Sequence, residues 1–379
     1  PNPDRPSSAM LKVSSVLELM KNTPLVSLRG RAVNRPRAQL WGKLELSMPG
    51  QMKDRVALKM VTDAEARGDL QPGGTIVESS SGTMAEGLAR VGTLKGYRVI
   101  IITDPRIDVS TAAKLRALGA EVLVVDAYHP TGGWQQSRLE RLRDVLRDVP
   151  GAYWPRQYDS PSNPGAYNSA MAQELTEALG GNIAALVASV GSGGSLSGTA
   201  AALKQRLPHV RVVAVDAVGS VQFHQPNRPR LQSGHGNSII AGNINYRVID
   251  EAHWLSDGEV FQGCRELARR EGIFAGGSSG AVYIVGSWLA EQFGPGAHVV
   301  GIFPDKGDRY GETIYSDDYL AKHHIAGPEC AAAAAPHAIR YGVDVAERWS
   351  HAPLPHDGGV PYHAPDITLS GDLTRELGL

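Results

Sequence analysis

Short apolar runs rich in valine and isoleucine alternate with amphipathic helical patterns along most of the chain. "GTIVESS", "YRVIIITD" and "AEVLVVDA" are each followed by a helical pattern, and "IAALVASVG", "VRVVAVDAVG" and "AHVVGIFPD" continue the alternation later. Because strands that are linked through helices run parallel, this order predicts βαβ units and mainly parallel, twisted sheets. The sequence therefore predicts an α/β fold.

The alternation falls into two series, which the turn-rich stretch "GAYWPRQYDSPSNPGAY" separates. With 379 residues, of which 42% are hydrophobic, the chain is long enough for two domains with separate cores. We expect a smaller α/β domain at 39–155, a larger one formed by 14–38 and 156–320, and a cleft between them. Residues 321–379, which are rich in Pro, His and Ala, are expected to be a C-terminal extension that wraps the core or stays mobile.

Charge and cysteine content argue against several classes of protein. A formal net charge of -1 gives no reason to expect nucleic acid or a membrane as partner, and no apolar run reaches the length of a membrane span. Cys264 and Cys330 form neither a disulfide framework nor a CxxC zinc pair, so we interpret both as structural. The histidines of the extension lack metal-ligand spacing, and no metal site is predicted. The start "PNPDRPSSAM" lacks the apolar region of a signal peptide, and we expect a cytoplasmic protein.

The strongest local signal joins a buried strand directly to a helix in "LVASVGSGGSLSGTAAALKQR". The connection consists of Gly191, Ser192, Gly193, Gly194 and Ser195, called the phosphate loop below. Glycines let the backbone approach a ligand closely, and the free amides at a helix start bind anions such as phosphate. A P-loop is excluded, because no lysine follows the last glycine.

The same segment nearly matches a dinucleotide-binding fingerprint. Gly191 and Gly193 have the right spacing, but Leu196 occupies the position of the third glycine. Asp216, at the end of the next strand, is a candidate partner for a ribose hydroxyl. On this segment alone, an NAD-dependent dehydrogenase remains an alternative from a different class.

Lys53 occupies an unusual position for a lysine. Apolar spacing in "VALKMVTDAEA" predicts a helix that begins near Lys53 and stops at Gly68. The positive end of a helix disfavours an ammonium group, which makes the uncharged amine available for a Schiff base. A lone lysine of this kind is more often a surface residue. Together with a phosphate loop, however, it fits pyridoxal phosphate, a phosphorylated aldehyde.

Five motifs resemble, in order and spacing, the motifs of the cysteine synthase family. The members of this family are pyridoxal-phosphate enzymes of fold type II (tryptophan synthase β-like). The five motifs are "PGQMKDR", "ESSSGTMAEGLA", "RQYDSPSNPGAY", "GSGGSLSG" and "GGSSGA", and the resemblance runs from residue 22 to residue 320. It implies that Lys53 is the catalytic residue and binds pyridoxal 5'-phosphate, that the larger domain carries the phosphate loop, and that the smaller domain carries the carboxylate-binding loop. The substrate-binding residues that it implies are Ser80, Ser81, Gly82, Thr83, Gln157, Gly277 and Ser278.

Two cofactor-binding positions differ from the family pattern. Thr83 replaces an asparagine that contacts the phenolic oxygen of the cofactor. Asp305 stands at the position of a serine beside the pyridine nitrogen. A carboxylate there would keep this nitrogen protonated and make the ring a stronger electron sink.

The implied reaction is β-replacement on an activated L-serine, O-acetylserine or O-phosphoserine, through an aminoacrylate. Sulfide or thiosulfate would then give cysteine or S-sulfocysteine, and Arg228, Arg230 and His235 favour an anionic donor or nucleophile. The stretch "GSVQFHQPNRPRL" also resembles a branch that uses an amine nucleophile and forms 2,3-diaminopropionate-type products. The resemblance further implies a homodimer.

Overall fold

The structure is a computed structural model that describes residues 12–31, 37–130, 133–168 and 170–355. Its strands are β1 (Leu25–Leu28), β2 (Gln39–Lys43), β3 (Thr75–Ser79), β4 (Arg98–Thr103), β5 (Glu121–Val124), β6 (Ile183–Ser189), β7 (Arg211–Ala217), β8 (Glu251–Leu255), β9 (His298–Ile302), β10 (His337–Ala338) and β11 (Ser350–Pro353). Its α-helices are α1 (Lys53–Arg67), α2 (Thr83–Lys95), α3 (Val109–Ala117), α4 (Gly133–Asp148), α5 (Ser162–Asn168), α6 (Ala170–Leu179), α7 (Gly194–Arg206), α8 (Asp257–Glu271), α9 (Gly277–Ala290) and α10 (Asp317–Lys322).

Eight strands form the larger sheet in the order β1-β2-β9-β6-β7-β8-β11-β10. The five strands from β2 to β8 are parallel, whereas β1 and β11 run antiparallel to their inner neighbours. Strands β6, β7 and β8 are buried along almost their whole length, as expected for parallel strands that helices cover on both faces. The predicted α/β fold with mainly parallel sheets is confirmed.

Three parallel strands, β3, β4 and β5, form the smaller sheet. Helix α2 connects β3 to β4, and α3 connects β4 to β5, so the predicted βαβ units of this region are present. The expected start of the smaller domain at residue 39 differs from the sheet pairing. Strand β2 pairs with β1 and β9 and therefore belongs to the larger sheet, because backbone pairing rather than sequence position decides sheet membership.

Helix α1 begins at Lys53 and is ended by Gly68, as the sequence predicts. Gly68 has φ 80°, a left-handed conformation in which its amide bonds to the carbonyls of Ala64 and Glu65. The helix packs against α2, and its buried residues are apolar except Asp54 and Arg55, which form ion pairs with Arg90 and Glu45. Among the described residues, no helix combines the length and apolar character that crossing a bilayer requires.

The extension was expected to wrap the core or stay mobile, and part of it adds two strands to the larger sheet. Strand β11 pairs antiparallel with β8, and β10 pairs with β11 at the sheet edge. The pairing depends on backbone groups, so a Pro- and His-rich sequence conceals it. Trp349, which precedes β11, is 1% exposed and anchors the segment in the core. Residues 356–379, including His356 and His363, lie outside the described residues.

A buried hydrogen-bond network connects β11 to β8. Trp349 Nε1 donates to His253 Nδ1 at 3.0 Å, and His253 Nε2 lies 2.8 Å from Glu251 Oε1. His351 Nδ1 lies 2.5 Å from the same carboxylate oxygen. Glu251, His253 and His351 also bring possible metal-ligand atoms within 4.8 Å of one another. However, the indole fixes the proton of His253 on Nε2, which then donates to Glu251, so this nitrogen offers no lone pair to a metal.

Candidate active site

A cavity of about 370 Å³ opens where strands of both sheets end. Its wall is formed by residues that follow β3, β6 and β9 and by the first turn of α1, as expected for a ligand site at the carboxyl ends of parallel strands. The predicted site residues that line it are Lys53, Ser80, Ser81, Gly82, Thr83, Gln157, Gly191, Ser192, Ser195, Ser278 and Asp305.

Three predicted glycines support the wall without lining it. Gly193 has φ 82°, and a side chain there would overlap Ile244, so the turn before α7 requires a glycine. A side chain on Gly194 would overlap Asn163. A Cβ on Gly277 would lie 3.3 Å from Val260 Cγ1, because this residue packs against α8.

Lys53 is positioned by the start of α1, with its side chain in the cavity. Its Nζ lies 3.1 Å from Ser192 Oγ in the phosphate loop. Desolvation lowers its pKa from the ordinary value of 10.5 to about 8, because burial disfavours the charged ammonium group. About one-tenth of this amine is therefore uncharged at pH 7, far more than at the ordinary pKa, and the uncharged form is the one that forms a Schiff base.

Asn163 connects the phosphate loop to the segment that carries Gln157. Its Nδ2 donates to Ser192 Oγ at 2.8 Å and to the backbone carbonyl of Gln157 at 2.7 Å. Asn243 also donates to that carbonyl, at 2.9 Å. The sequence reasoning selected only Gln157 from the motif "RQYDSPSNPGAY" and missed Asn163, although the asparagine lies within the same motif.

The carboxylate loop, residues 80–83, joins β3 to α2. The Ser80 amide donates to Ile102 O at 3.1 Å, and the Gly82 amide lies 3.3 Å from Ser80 Oγ. Thr83 is the first residue of α2, so the loop lies at a helix N-terminus whose free amides favour an anion. The loop contains hydroxyls and no acidic side chain, and it can therefore accept a carboxylate without repulsion.

Asp305 lies in the cavity wall after β9 and is 4% exposed. Its Oδ1 accepts a hydrogen bond from Ser278 Oγ at 3.1 Å, and its Oδ2 accepts one from Tyr310 OH at 2.6 Å. Burial nevertheless raises the pKa of this carboxyl. Both oxygens are fixed, which orients the group as a partner for a polar atom of a bound ring.

Several charged residues that sequence reasoning did not select also line the cavity. Arg138 on α4 lies 3.3 Å from Asp104 and is largely desolvated, which lowers its pKa. Arg309 stacks on the ring of Tyr310 and has no hydrogen-bond or ion-pair partner among the described residues. A Cβ on Gly82 would lie 3.5 Å from Arg309 Nη1, so this guanidinium flanks the carboxylate loop.

The arginines expected to favour an anionic reactant lie in an adjacent, more open pocket. Arg228, Arg230 and His235 line that pocket and not the cavity with Lys53. Arg230 Nη2 donates to Ser238 at 3.0 Å, and its Nη1 bonds to backbone carbonyls, so its guanidinium holds the local loop. Burial lowers the pKa of His235 to about 4, which keeps its ring neutral.

The residues present fit pyridoxal phosphate better than a dinucleotide. The cavity contains a low-pKa amine, a phosphate loop without acids and a buried carboxyl that can face a ring nitrogen. For a dinucleotide, Leu196 fills the position of the third glycine and is 1% exposed. Asp216 is fully buried, which leaves no ribose-facing carboxylate at the surface.

Comparisons with known proteins agree with this geometry. A sequence profile described as pyridoxal-phosphate dependent enzyme matches residues 16–305, which rules out the dehydrogenase alternative. An N-(2-amino-2-carboxyethyl)-L-glutamate synthase of Ralstonia nicotianae is 38% identical over 81% of this chain and 91% of that protein. A putative cysteine synthase of Sinorhizobium fredii is 36% identical over 84% of this chain and 95% of that protein.

Comparison with solved structures also indicates a pyridoxal-phosphate enzyme of this fold. The O-acetylserine dependent cystathionine beta-synthase from Helicobacter pylori matches with a TM-score of 0.74 and 29% sequence identity. The match covers 81% of this chain and 100% of that one. Profile, relatives and fold agree, and the chain therefore belongs to the family of pyridoxal-phosphate dependent enzymes, with the fold type II architecture of its cysteine synthase-like members.

Proposed function

We propose that the chain catalyses a β-replacement in which an amino group of an acidic amino acid replaces the β-substituent of an activated L-serine. The product would be of the 2,3-diaminopropionate type. The name of the Ralstonia nicotianae relative describes such a product, formed on L-glutamate. The resemblance of "GSVQFHQPNRPRL" to an amine-using branch supports the same interpretation.

The observation that carries this proposal is the guanidinium of Arg309, which lines the cavity and has no ion-pair partner among the described residues. The other two arginines of the lining have carboxylate partners, since Arg156 is paired with Asp159 at 2.7 Å and Arg138 lies 3.3 Å from Asp104. An unpaired guanidinium binds the anionic groups of reactants such as O-phosphoserine and an acidic amino acid. The cations of the lining are Lys53, Arg138, Arg156 and Arg309, and its acids are Glu78, Asp159 and Asp305.

We assign roles to the residues accordingly. Hydroxyls and amides of the carboxylate loop, with Gln157, would bind the donor carboxylate, and Lys53 would remove and return the proton at its α-carbon. Arg138 and Arg309 would bind the remaining anionic groups. When bound, pyridoxal phosphate would supply the electron sink that acidifies this proton, and the phosphate loop, Lys53, Thr83 and Asp305 would hold it.

Sulfide or thiosulfate is the second candidate for the nucleophile, giving cysteine or S-sulfocysteine. It is supported by the relative from Sinorhizobium fredii, whose name is putative cysteine synthase. Sulfide has no carboxylate and would not require the arginines of the cavity. Thiosulfate, as an oxyanion, would still bind them.

The experiment that separates these candidates supplies one donor and one nucleophile at a time to the protein reconstituted with pyridoxal phosphate. O-acetylserine and O-phosphoserine are tested as donors with L-glutamate, L-aspartate, sulfide and thiosulfate, and products are identified by mass spectrometry. We expect faster turnover of O-phosphoserine and a carbon–nitrogen linked product with an acidic amino acid. Products from sulfide or thiosulfate alone would contradict the proposal.

Light scattering on the same sample tests the implied homodimer.

A further inference from the structure

Glu78, the fourth residue of β3, has an unusual carboxyl group in the cavity wall. The residue is 3% exposed, and its Oε1 accepts hydrogen bonds from the Ser79 amide at 2.9 Å and from Trp154 Nε1 at 3.1 Å. Its Oε2 has no hydrogen-bond partner among the described residues. Leaving a buried acceptor unpaired costs about 1–3 kcal/mol, so this arrangement does not serve folding.

An amine nucleophile must lose a proton before it can react, whereas hydrosulfide need not. The amino group of an amino acid is largely protonated near neutral pH, and an ammonium nitrogen has no electron pair with which to form a bond. One proton must therefore leave the nucleophile during the second half of the reaction. Hydrosulfide, which is already an anion, has no such requirement.

The other groups of the cavity are committed elsewhere. Lys53 would act at the α-carbon of the donor, and Asp305 uses both oxygens for Ser278 and Tyr310. Asp159 is paired with Arg156. Among the acids that line the described part of the cavity, Glu78 alone therefore offers an unpaired oxygen.

We propose that Glu78 is the catalytic base for the incoming amine, an inference that rests on the proposed function. Its Oε2 takes a proton from the ammonium group of the nucleophile. The N–H bond breaks, an O–H bond forms on Glu78, and the freed electron pair of nitrogen forms the new bond to the β-carbon, from which the leaving group has already departed. The electron pair displaced from the carbon–carbon double bond moves to the α-carbon, where Lys53 returns the proton. The proton returns to solvent before the next cycle, so no other reactant is consumed.

The environment of Glu78 suits this role. Desolvation raises the pKa of its carboxyl to about 7, and the bonds from Ser79 and Trp154, together with the nearby backbone amide of Gln157, offset this rise only in part. A base works best when its pKa lies near the operating pH. Arg138 lies near enough to interact electrostatically with this carboxyl and would stabilise its ionised form.

The test compares Glu78→Gln with wild type in each half-reaction, followed through the visible absorption of the bound cofactor. Glutamine can still accept the bonds from Ser79 and Trp154, so the loop should keep its shape. We expect the step with donor alone to stay within about twofold of wild type and the step with L-glutamate to slow by about 100-fold or more. An unchanged amine step, or equal slowing of both steps, would overturn the assignment.

A matched control and a second measurement make the result specific. Glu86→Gln changes another buried glutamate, which lies on α2 and not in the cavity wall; its Oε1 has no hydrogen bond among the described residues and lies 3.6 Å from Lys114 Nζ. We expect it to leave both steps unchanged. In the protein without cofactor, infrared titration should show a protonated carboxyl that ionises near pH 7 and is missing in Glu78→Gln. Ionisation near the ordinary value of 4.5 would contradict the inference.

Failure of the proposed function gives a different pattern. If wild type completes the donor step but no amine restores the original absorption, the proposed nucleophile class is wrong, whatever the variant does. If amines react with wild type and with Glu78→Gln at equal rates, the proposed function stands and only the role of Glu78 is rejected.

Discussion

The side-chain nitrogen of Lys53 lies 3.1 Å from the hydroxyl oxygen of Ser192, although 139 positions separate the two residues in sequence. The contact joins the start of α1 to the loop between β6 and α7. It places a nucleophilic amine beside a loop suited to bind phosphate, so both ends of one phosphorylated aldehyde can be bound together.

Lys53→Ala should abolish covalent attachment of the cofactor. The reconstituted wild type should gain the mass of the reduced cofactor after borohydride treatment, whereas the variant should gain none, and turnover should fall at least about 100-fold. Lys59→Ala on the same helix is the control, because Lys59 is partly exposed and pairs with Asp63. A mass adduct that persists in Lys53→Ala would show that another residue binds the aldehyde.

The lowered pKa of Lys53 predicts a pH effect on stability without cofactor. Between about 8 and 10.5 the folded protein binds fewer protons than the unfolded chain, so the free energy of unfolding rises with pH through this interval. Urea unfolding of wild type and Lys53→Met measures the difference. The free energy of unfolding should rise between about pH 8 and 10.5 more in wild type than in Lys53→Met. If it depends on pH in the same way in both proteins, the pKa of Lys53 is not lowered.

Asp305→Ser should change the electronic state of the bound cofactor. It removes the carboxyl proposed to protonate the ring nitrogen and deprives Tyr310 and Ser278 of their acceptor. We expect a shifted visible absorption band and a loss of about 1–3 kcal/mol in the free energy of unfolding. Asp308→Ser, at an exposed position of the same segment, should change neither. An unaltered spectrum in Asp305→Ser would place the carboxyl away from the ring.

Arg309→Gln should weaken binding of anionic reactants more than it slows chemistry. The guanidinium has no ion-pair partner among the described residues, so a reactant would lose a charge-assisted bond of about 1.5–3 kcal/mol. KM should rise about 10- to 100-fold, with a smaller change in kcat. Arg340→Gln, which removes an exposed ion pair with Asp344, serves as the control. An equal response of both variants would exclude a binding role for Arg309.

Trp349→Phe should destabilise the protein by about 1–3 kcal/mol, because His253 loses a buried hydrogen-bond donor. Trp41→Phe is a matched control, since its indole also donates to a histidine, His298, at 3.1 Å but in a less buried place. In urea unfolding, Trp41→Phe should lose less free energy of unfolding than Trp349→Phe. Similar losses in the two variants would show that burial of the network contributes little.

The same network predicts sensitivity to acid. The pKa of His253 is lowered by burial, so below its ordinary value of 6.5 the unfolded chain takes up a proton that the folded protein does not. The pKa of Glu251 is held far below its usual range by bonds from two histidines, which adds stability that is lost as the pH falls. Melting temperature should therefore fall below about pH 6. A flat profile in this range would contradict the arrangement.

The sequence reveals the features that depend on local spacing. The strand–helix alternation, the start of α1 at Lys53 and the loop before α7 all follow from residues close together in the chain. Arg138 could not be selected, because only tertiary packing brings α4 to the cavity. Glu78 lies within a recognised motif, but no sequence pattern shows that one of its oxygens is unpaired. Strand β11 was missed because backbone pairing needs no apolar alternation.

Strand β11 also determines how the larger sheet ends. It covers the outer edge of β8, all five residues of which are buried, and it finishes at Pro353, which has no amide to donate. In the described part of the chain, the two-residue β10 is the only strand beyond it. A chain shortened before residue 337 would present the uncovered edge of β8 to other molecules, which is a template for intermolecular pairing. The C-terminal segment thus protects the edge of the larger sheet from pairing with other molecules, even though the residues proposed to bind cofactor and substrate come earlier in the chain.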